Sequence, residues 1–150
     1  MKYFLSLTIL ILSYSISAQC RGFAKENCKS QLENYIPTGE TANAELSPGD
    51  RYQFISTFYK GQSYRVVTCA DETLGNIQFT IRNAKRQLYY DNHGDENRVF
   101  DFRVAATQQL IVSIVIPESK EEKTESEEES KKNKESIVEG CVSAMIGFRL

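Results

Sequence analysis

Short segments that alternate apolar and polar residues recur along this chain, and turn residues separate them about every 8–12 residues. Such alternation is typical of antiparallel strands that bury one face and expose the other. The segments are residues 51–59, 63–69, 76–82, 87–91, 98–104, 109–116 and 141–148. The pattern predicts a mainly β fold, namely a single antiparallel β-sandwich of the jelly-roll-like kind.

The residues that precede these strands carry a different periodicity. Apolar side chains recur at near-helical spacing within residues 20–35, which predicts a short N-terminal helix of about three turns that ends before Pro37. Further along, residues 60–62 include a glycine and connect two alternating segments, 51–59 and 63–69. This short connection predicts that the two segments form a β-hairpin.

One segment, residues 118–136, breaks the alternating pattern. It holds eight glutamates and five lysines but no aromatic or aliphatic side chain, so it predicts a disordered charged loop. Apolar strands at 109–116 and 141–148 flank it, and we expect it to extend the loop of a hairpin.

The whole chain has a net charge of −2, and no excess of basic residues indicates a nucleic-acid partner.

Residues 1–18 have the features of a secretory signal peptide. A basic residue at position 2 is followed by a short apolar run that ends in small residues at Ser17 and Ala18. The run is too short for a comfortable transmembrane helix. Cleavage before Cys20 would give a lipoprotein, but Gln19 occupies a position where a small residue is usual. We therefore expect a secreted or periplasmic protein without a transmembrane segment or a lipid anchor.

The predicted mature chain, residues 19–150, contains all four cysteines, Cys20, Cys28, Cys69 and Cys141. In an exported protein this number predicts two disulfide bonds, with three possible connectivities. We prefer a local bond between Cys20 and Cys28 and a long-range bond between Cys69 and Cys141. Zinc binding is disfavoured, because no two cysteines have the usual two-residue spacing and the chain has a single histidine.

That histidine, His93, lies in the turn-like sequence DNHGD. A hydrolytic triad would need it together with a nucleophile, but the chain has no G-x-S-x-G motif. We expect a solvated turn histidine and assign no catalytic residue.

Acidic side chains, together with the amide of Asn92, cluster at two turns of the predicted fold. Oxygen-rich loops of this kind can bind calcium, but Asp and Asn are also common in turns for backbone reasons. The residues are Asp71, Glu72, Asp91, Asn92, Asp95 and Glu96. We predict no cofactor and keep calcium as an alternative.

Two pairs of adjacent aromatic residues are candidates for a contact surface. They are Phe58 with Tyr59 and Tyr89 with Tyr90. In an alternating strand, one member of each pair faces outward, and aromatic residues dominate the energetics of many interfaces. These four residues are therefore the predicted contact surface for a protein or glycan partner.

Residues 44–116 resemble the pre-peptidase C-terminal type of secreted bacterial β-sandwich. The sequences SPGDRYQF and NIQFTIRNAKRQLYYDN carry the resemblance, which extends through GQSYRV, FDFRV and IVSIVIP. The matching positions are Leu46, Gly49, Asp50, Tyr52 and Phe54 in the opening motif, and Phe79, Ile81, Asn83 and Leu88 in the second. The resemblance implies a β-sandwich and a non-catalytic accessory role.

We therefore predict a secreted, non-catalytic module with a binding or structural role in the bacterial envelope or outside the cell. The alternative is a small secreted enzyme or inhibitor whose site has no sequence motif.

Overall fold

The computed structural model describes residues 20–118 and 138–150, and eight β-strands account for most of them. The strands are β1 (Ile36–Leu46), β2 (Arg51–Phe58), β3 (Ser63–Ala70), β4 (Gln78–Asn83), β5 (Leu88–Asp91), β6 (Val99–Arg103), β7 (Gln108–Val115) and β8 (Gly140–Arg149). The predicted signal peptide lies outside the described residues, and so does the predicted charged loop after Glu118. No helix in the described part of the chain is long and apolar enough to cross a membrane.

The strands form two antiparallel sheets of four strands each. Sheet I has the order β1-β8-β3-β6, and sheet II has the order β2-β7-β4-β5. This alternation of strands between two sheets is the arrangement of a jelly roll. The predicted fold class, an antiparallel β-sandwich with a short N-terminal helix, is confirmed.

The core lies between the two sheets and is rich in aromatic side chains. Successive ring centroids are 4.3 to 5.3 Å apart, which is the usual range for favourable aromatic contacts. In order of contact, the rings are those of Phe79, Tyr90, Phe100, Phe102, Phe58 and Tyr64. This series joins β4 and β5 of sheet II to β6 and β3 of sheet I, so it closes the side of the sandwich where β5 and β6 are the edge strands.

Both predicted hairpins, the one around the short connection 60–62 and the one around residues 118–136, are wrong. β2 pairs with β7 in sheet II, whereas β3 pairs with β6 and β8 in sheet I. β7 and β8 also belong to different sheets, so residues 118–136 connect the sheets rather than the two strands of a hairpin. A short turn and an alternating pattern do not reveal whether the chain continues in the same sheet or crosses to the other.

Strand β1 was not predicted, because its sequence IPTGETANAEL contains Pro37, Gly39 and few large apolar residues. It forms at the edge of sheet I, where a proline is tolerated. Its pairing with β8 shifts between Pro37 and Thr41, and Gly39 in this bulge has a φ of 89°. The bulge and the low apolar content both obscure the alternation.

The N-terminal residues cover the outer face of sheet I. The predicted three-turn helix is shorter than expected: α1 (Phe23–Asn27) is followed by a 3₁₀ helix (Lys29–Leu32). Ala24, Cys28 and Leu32 of this segment pack against side chains of β3 and β8. We call residues 20–35 the N-terminal cover.

Two disulfide bonds attach the N-terminal cover to sheet I. Cys20 is bonded to Cys141 of β8, and Cys28 is bonded to Cys69 of β3. The preferred local pairing was therefore wrong. Cys20 lies in the turn before α1 and Cys28 directly follows its last residue, so the two cysteines lie at opposite ends of α1 and each reaches a different strand of sheet I.

Candidate functional site

The four predicted contact residues divide into two exposed and two enclosed side chains. Tyr59 and Tyr89 are 56% and 42% exposed, as a contact surface requires. Phe58 is completely buried, and Tyr90 faces the core, where it packs against Phe79 and Phe100. Phe58 and Tyr90 are therefore structural residues, and this part of the predicted surface is wrong.

Tyr59 and Tyr89 lie at the same end of sheet II. Tyr59 directly follows β2, whose last residue, Phe58, is opposite Gln108 of β7. The Tyr89 hydroxyl lies 3.1 Å from Oε1 of Gln108 and donates a hydrogen bond to it. Gln108 is thus bonded to Tyr89 and lies opposite the residue that precedes Tyr59.

Large exposed apolar side chains are concentrated on the edge strands of sheet II. Ile55 of β2 is 63% exposed and Leu88 of β5 is 48% exposed. The register places Ile55, Ile111, Arg82 and Leu88 in one row across the outer face of this sheet. In the described strands of sheet I, only Ile36 is comparable, with 60% exposure.

The same outer face forms a concave groove with a volume of about 400 Å³. Ser113 of β7 and Thr80 of β4 form its floor, and both are nearly buried. Ser113 and Thr80 are short and lie opposite each other on the two central strands, and the longer side chains of neighbouring residues form the walls of the groove. The groove is lined by Arg51, Gln53, Gln78, Thr80, Arg82, Arg86, Ile111, Ser113 and Val115.

The groove is positively charged. Three of its nine lining residues are arginines, and none is acidic. Within residues 20–118 and 138–150, no carboxylate oxygen lies within 4.0 Å of the guanidinium nitrogens of Arg51, Arg82 or Arg86. One carboxylate borders the groove: Asp91 accepts hydrogen bonds from Gln78 at 3.3 Å. The guanidinium groups are therefore available to an anionic ligand.

Arg65, on the outer face of sheet I, shows the opposite situation. It donates two hydrogen bonds to Asp101, at 2.7 and 2.8 Å, and one to the backbone carbonyl of Gln31. It also pairs with Glu33 at 2.9 Å and lies over the ring of Tyr35. The hydrogen bonds from Arg65 lower the pKa of Asp101, although partial burial opposes this shift. Arg65 thus joins the N-terminal cover to β3 and β6.

A second cleft lies between the edge strands β1 and β2. It consists of two adjoining hollows of about 280 and 360 Å³, both lined by Glu40. Ser56 donates a hydrogen bond of 2.5 Å to Oε2 of Glu40, so this carboxylate joins the two sheets at their open side. Among the described residues that line the two hollows, none is a histidine or a lysine.

His93 lies in an exposed turn, as predicted. Its side chain is 79% exposed, its φ is 54°, and its Nδ1 lies 3.8 Å from Oδ2 of Asp91. The backbone N–H of His93 donates to the other oxygen of Asp91 at 2.7 Å. Asp91 therefore shapes the turn around His93.

The neighbouring residue Tyr90 has a raised pKa, because its side chain is partly buried and because the charges of Asp91 and Asp95 disfavour its ionised form.

Asn92 is a structural residue of the same turn. Its side-chain oxygen accepts hydrogen bonds from the N–H groups of Phe79 and Gly94, at 2.7 and 3.1 Å. Its amide nitrogen donates to the carbonyls of Ile77, Asp95 and Asn97, each at 3.0 Å. The oxygen of Asn92 is thus occupied by the protein. In the described ranges, no three His, Cys, Asp or Glu residues converge as a metal site would require. The expectation of no cofactor, with calcium as its alternative, stays a prediction.

Comparisons with known proteins leave the chain without an assigned family. No family model matches it, and no curated protein matches it. The resemblance to pre-peptidase C-terminal domains therefore stays a prediction. Among solved structures, the chain is similar to that of Aeromonas hydrophila PliG, a periplasmic lysozyme inhibitor of g-type lysozyme. The TM-score is 0.48 with 9% identity, over 73% of this chain and 85% of that chain, which is too distant to transfer a function.

The groove was missed in the sequence, although part of its signal is present there. In β2 and β4, the outward positions follow the alternation that predicts the strands, and they include Arg51, Gln53, Gln78 and Arg82. The alternation does not show that both strands flank β7. Arg51 and Gln78 meet in one row only because each lies opposite Val115.

Proposed function

We propose that this chain is an exported, non-catalytic binding module that engages its partner through the outer face of sheet II. The observation that carries the proposal is the difference in cover: sheet I has a disulfide-linked N-terminal cover, whereas a concave groove occupies sheet II. Exposed apolar side chains beside convergent polar groups are a common composition of binding surfaces. The disulfide bonds support export, because they persist in oxidising compartments.

Two apolar residues of similar exposure allow a matched test. Ile55→Glu alters the outer face of sheet II, and Ile36→Glu makes the same change at the edge of sheet I. Labelled protein is titrated onto envelope and extracellular material from the organism that produces it. We expect Ile55→Glu to weaken saturable binding about tenfold, because an interface that buries an isoleucine loses its transfer free energy. Ile36→Glu retains wild-type affinity.

Equal weakening by both substitutions would contradict the assignment of the face. If the wild-type chain showed no saturable binding, the binding-module proposal itself would fail. Turnover of a hydrolase substrate that is lost in His93→Ala would favour the alternative of a small secreted enzyme. Circular dichroism and thermal unfolding confirm that each variant is folded.

A further inference from the structure

The groove on sheet II combines two kinds of ligand-binding group. Guanidinium groups form paired hydrogen bonds with planar anions such as carboxylates, and they also bind sulfate and phosphate groups. Between them lie the neutral side chains of Gln53, Gln78, Ser113 and Thr80, which exchange hydrogen bonds with hydroxyl groups. A ligand that matches both kinds of group carries anionic groups and many hydroxyls.

The arginines are distributed along the groove. Arg51 lies in the same row as Gln78, which is four residues from Arg82 along β4. At about 3.4 Å per residue, the two arginine positions are separated by about 14 Å along the strand direction. Arg86, in the turn after β4, adds a second charge at the far end. The spacing matches an extended ligand with at least two separated anionic groups.

We infer that the groove between Arg51 and the Arg82–Arg86 pair binds a linear acidic glycan, one that carries repeated carboxylate or sulfate groups. The inference rests on the proposed use of this face and adds the chemical class of the ligand. The groove lies on the face of the sheet, where β4 and β7 already pair with their neighbours, so a peptide cannot bind by adding a strand. None of the nine lining residues is aromatic, which disfavours single-stranded nucleic acid because that ligand is usually held by stacking.

The test measures binding of the mature, disulfide-bonded chain to defined polymers. Polygalacturonate supplies carboxylates, dextran sulfate supplies sulfates, and uncharged dextran supplies hydroxyls alone. Poly-L-glutamate and a single-stranded oligonucleotide represent the competing classes of polyanion. Isothermal titration calorimetry at low and moderate salt gives each dissociation constant.

The variants remove equal charge from different places. Arg82→Gln with Arg86→Gln alters the groove, whereas Arg21→Gln with Arg103→Gln removes two exposed arginines of the N-terminal cover and β6. We expect wild type to bind one of the two acidic glycans and to ignore uncharged dextran. The groove variant weakens this binding about a hundredfold, because each charged hydrogen bond contributes about a factor of ten or more. The control variant stays within about twofold, since distant exposed charges are screened by salt.

Three outcomes would overturn the inference. Equal weakening in both double variants would show attraction by net charge alone. Tighter binding of poly-L-glutamate or the oligonucleotide would assign the groove to another class of polymer. Absence of binding to every polymer, while Ile55→Glu still weakens binding to envelope material, would reject the glycan and leave the proposed function intact.

Discussion

Each of the two sheets has four antiparallel strands with alternating inward and outward residues. Their outer faces differ, because the N-terminal cover packs on sheet I and no described segment covers sheet II in the same way. On sheet I, the apolar side chains Val67 and Met145 are covered by the N-terminal cover, and Arg65 is paired with carboxylates. On sheet II, Arg82 has no such partner within the described residues, and Ile55 is exposed. One face thus resembles an interior surface, whereas the other has the features of a binding surface.

The two sheets also differ in their disulfide bonds. Both disulfides join the N-terminal cover to sheet I, and sheet II has none. The cover is short, and its one α-helix has five residues, so it would be marginal on its own. The disulfide bonds at Cys20 and Cys28 compensate for the low stability of this short segment and hold it on sheet I.

The largest expected effect comes from removing a covalent bond of the cover. The pair Cys28→Ala and Cys69→Ala deletes a buried disulfide that spans 41 residues. We expect a loss of about 2–5 kcal/mol in the free energy of unfolding, because the bond restricts the unfolded chain. Denaturant unfolding measures the loss. A loss below about 1 kcal/mol would show that the cover remains in place without this bond.

In wild type, peptide mapping without reduction should find Cys20 linked to Cys141 and Cys28 linked to Cys69.

A smaller loss is expected where the cover approaches sheet I most closely. A Cβ atom on Gly147 would lie 2.8 Å from Cβ of Tyr35 and 3.0 Å from Cδ2 of Leu32. Gly147→Ala should therefore destabilise the protein by about 1–3 kcal/mol through overpacking. Ser113→Ala, on the outer face of sheet II, instead removes a hydroxyl that accepts a hydrogen bond from Gln53 at 3.1 Å, and it should change stability by about 1 kcal/mol or less. A loss in Gly147→Ala no larger than in Ser113→Ala, measured by thermal unfolding, would contradict the close packing of the cover on sheet I.

The third prediction compares two arginines that occupy outward positions on different sheets. Arg65→Gln breaks the bidentate pair with Asp101 and the bond to Gln31, so we expect a loss of about 1–2 kcal/mol. Arg82→Gln removes the same charge from sheet II and should change stability by no more than about 0.5 kcal/mol. Unfolding of both variants under the same conditions tests the contrast. A larger loss in Arg82→Gln would reveal a structural partner and would weaken the argument for a binding groove.

The strands that could be predicted from the sequence are those in which apolar and polar residues alternate regularly. Strands such as β2 and β7 were predicted because one buried face imposes alternation on consecutive residues. Strand β1 was not, since Pro37 and the bulge at Gly39 remove that alternation at an edge where both are tolerated. Local pattern is thus sufficient for strands that are central or regular.

Long-range relations were the part that sequence could not supply. The bond between Cys20 and Cys141 spans 121 residues, and nothing near either cysteine specifies its partner. The same limit applies to the candidate site. The exposure of one residue in each aromatic pair, Tyr59 and Tyr89, follows from the alternating pattern, and their role as contact residues stays a prediction. The groove depends on the register that brings Arg51 and Gln78 to opposite sides of Val115.

The smallest expected effect is a pH dependence that is confined to sheet I. Arg65 lowers the pKa of Asp101 below its ordinary value, so the folded chain holds this carboxylate in its charged form more strongly than the unfolded chain does. The resulting stability is present above about pH 4, the ordinary pKa of aspartate, and is lost as the pH falls through the lowered pKa. Because the Asp101 side chain is 43% exposed, solvent screening limits the contribution to about a few tenths of a kcal/mol.

Melting temperatures recorded from pH 7 to pH 2 measure the contribution of the Arg65 ion pairs, of which the bidentate pair with Asp101 is one and the pair with Glu33 the other. The difference between wild type and Arg65→Gln should narrow as the pH falls below about 4, because protonated Asp101 no longer forms the ion pair. The difference between wild type and Arg82→Gln should stay constant over the same range, since Arg82 has no carboxylate partner among the described residues. Narrowing in both variants would indicate a general effect of net charge. Narrowing in the Arg65 variant alone would locate the acid sensitivity in the pairing of the covered face.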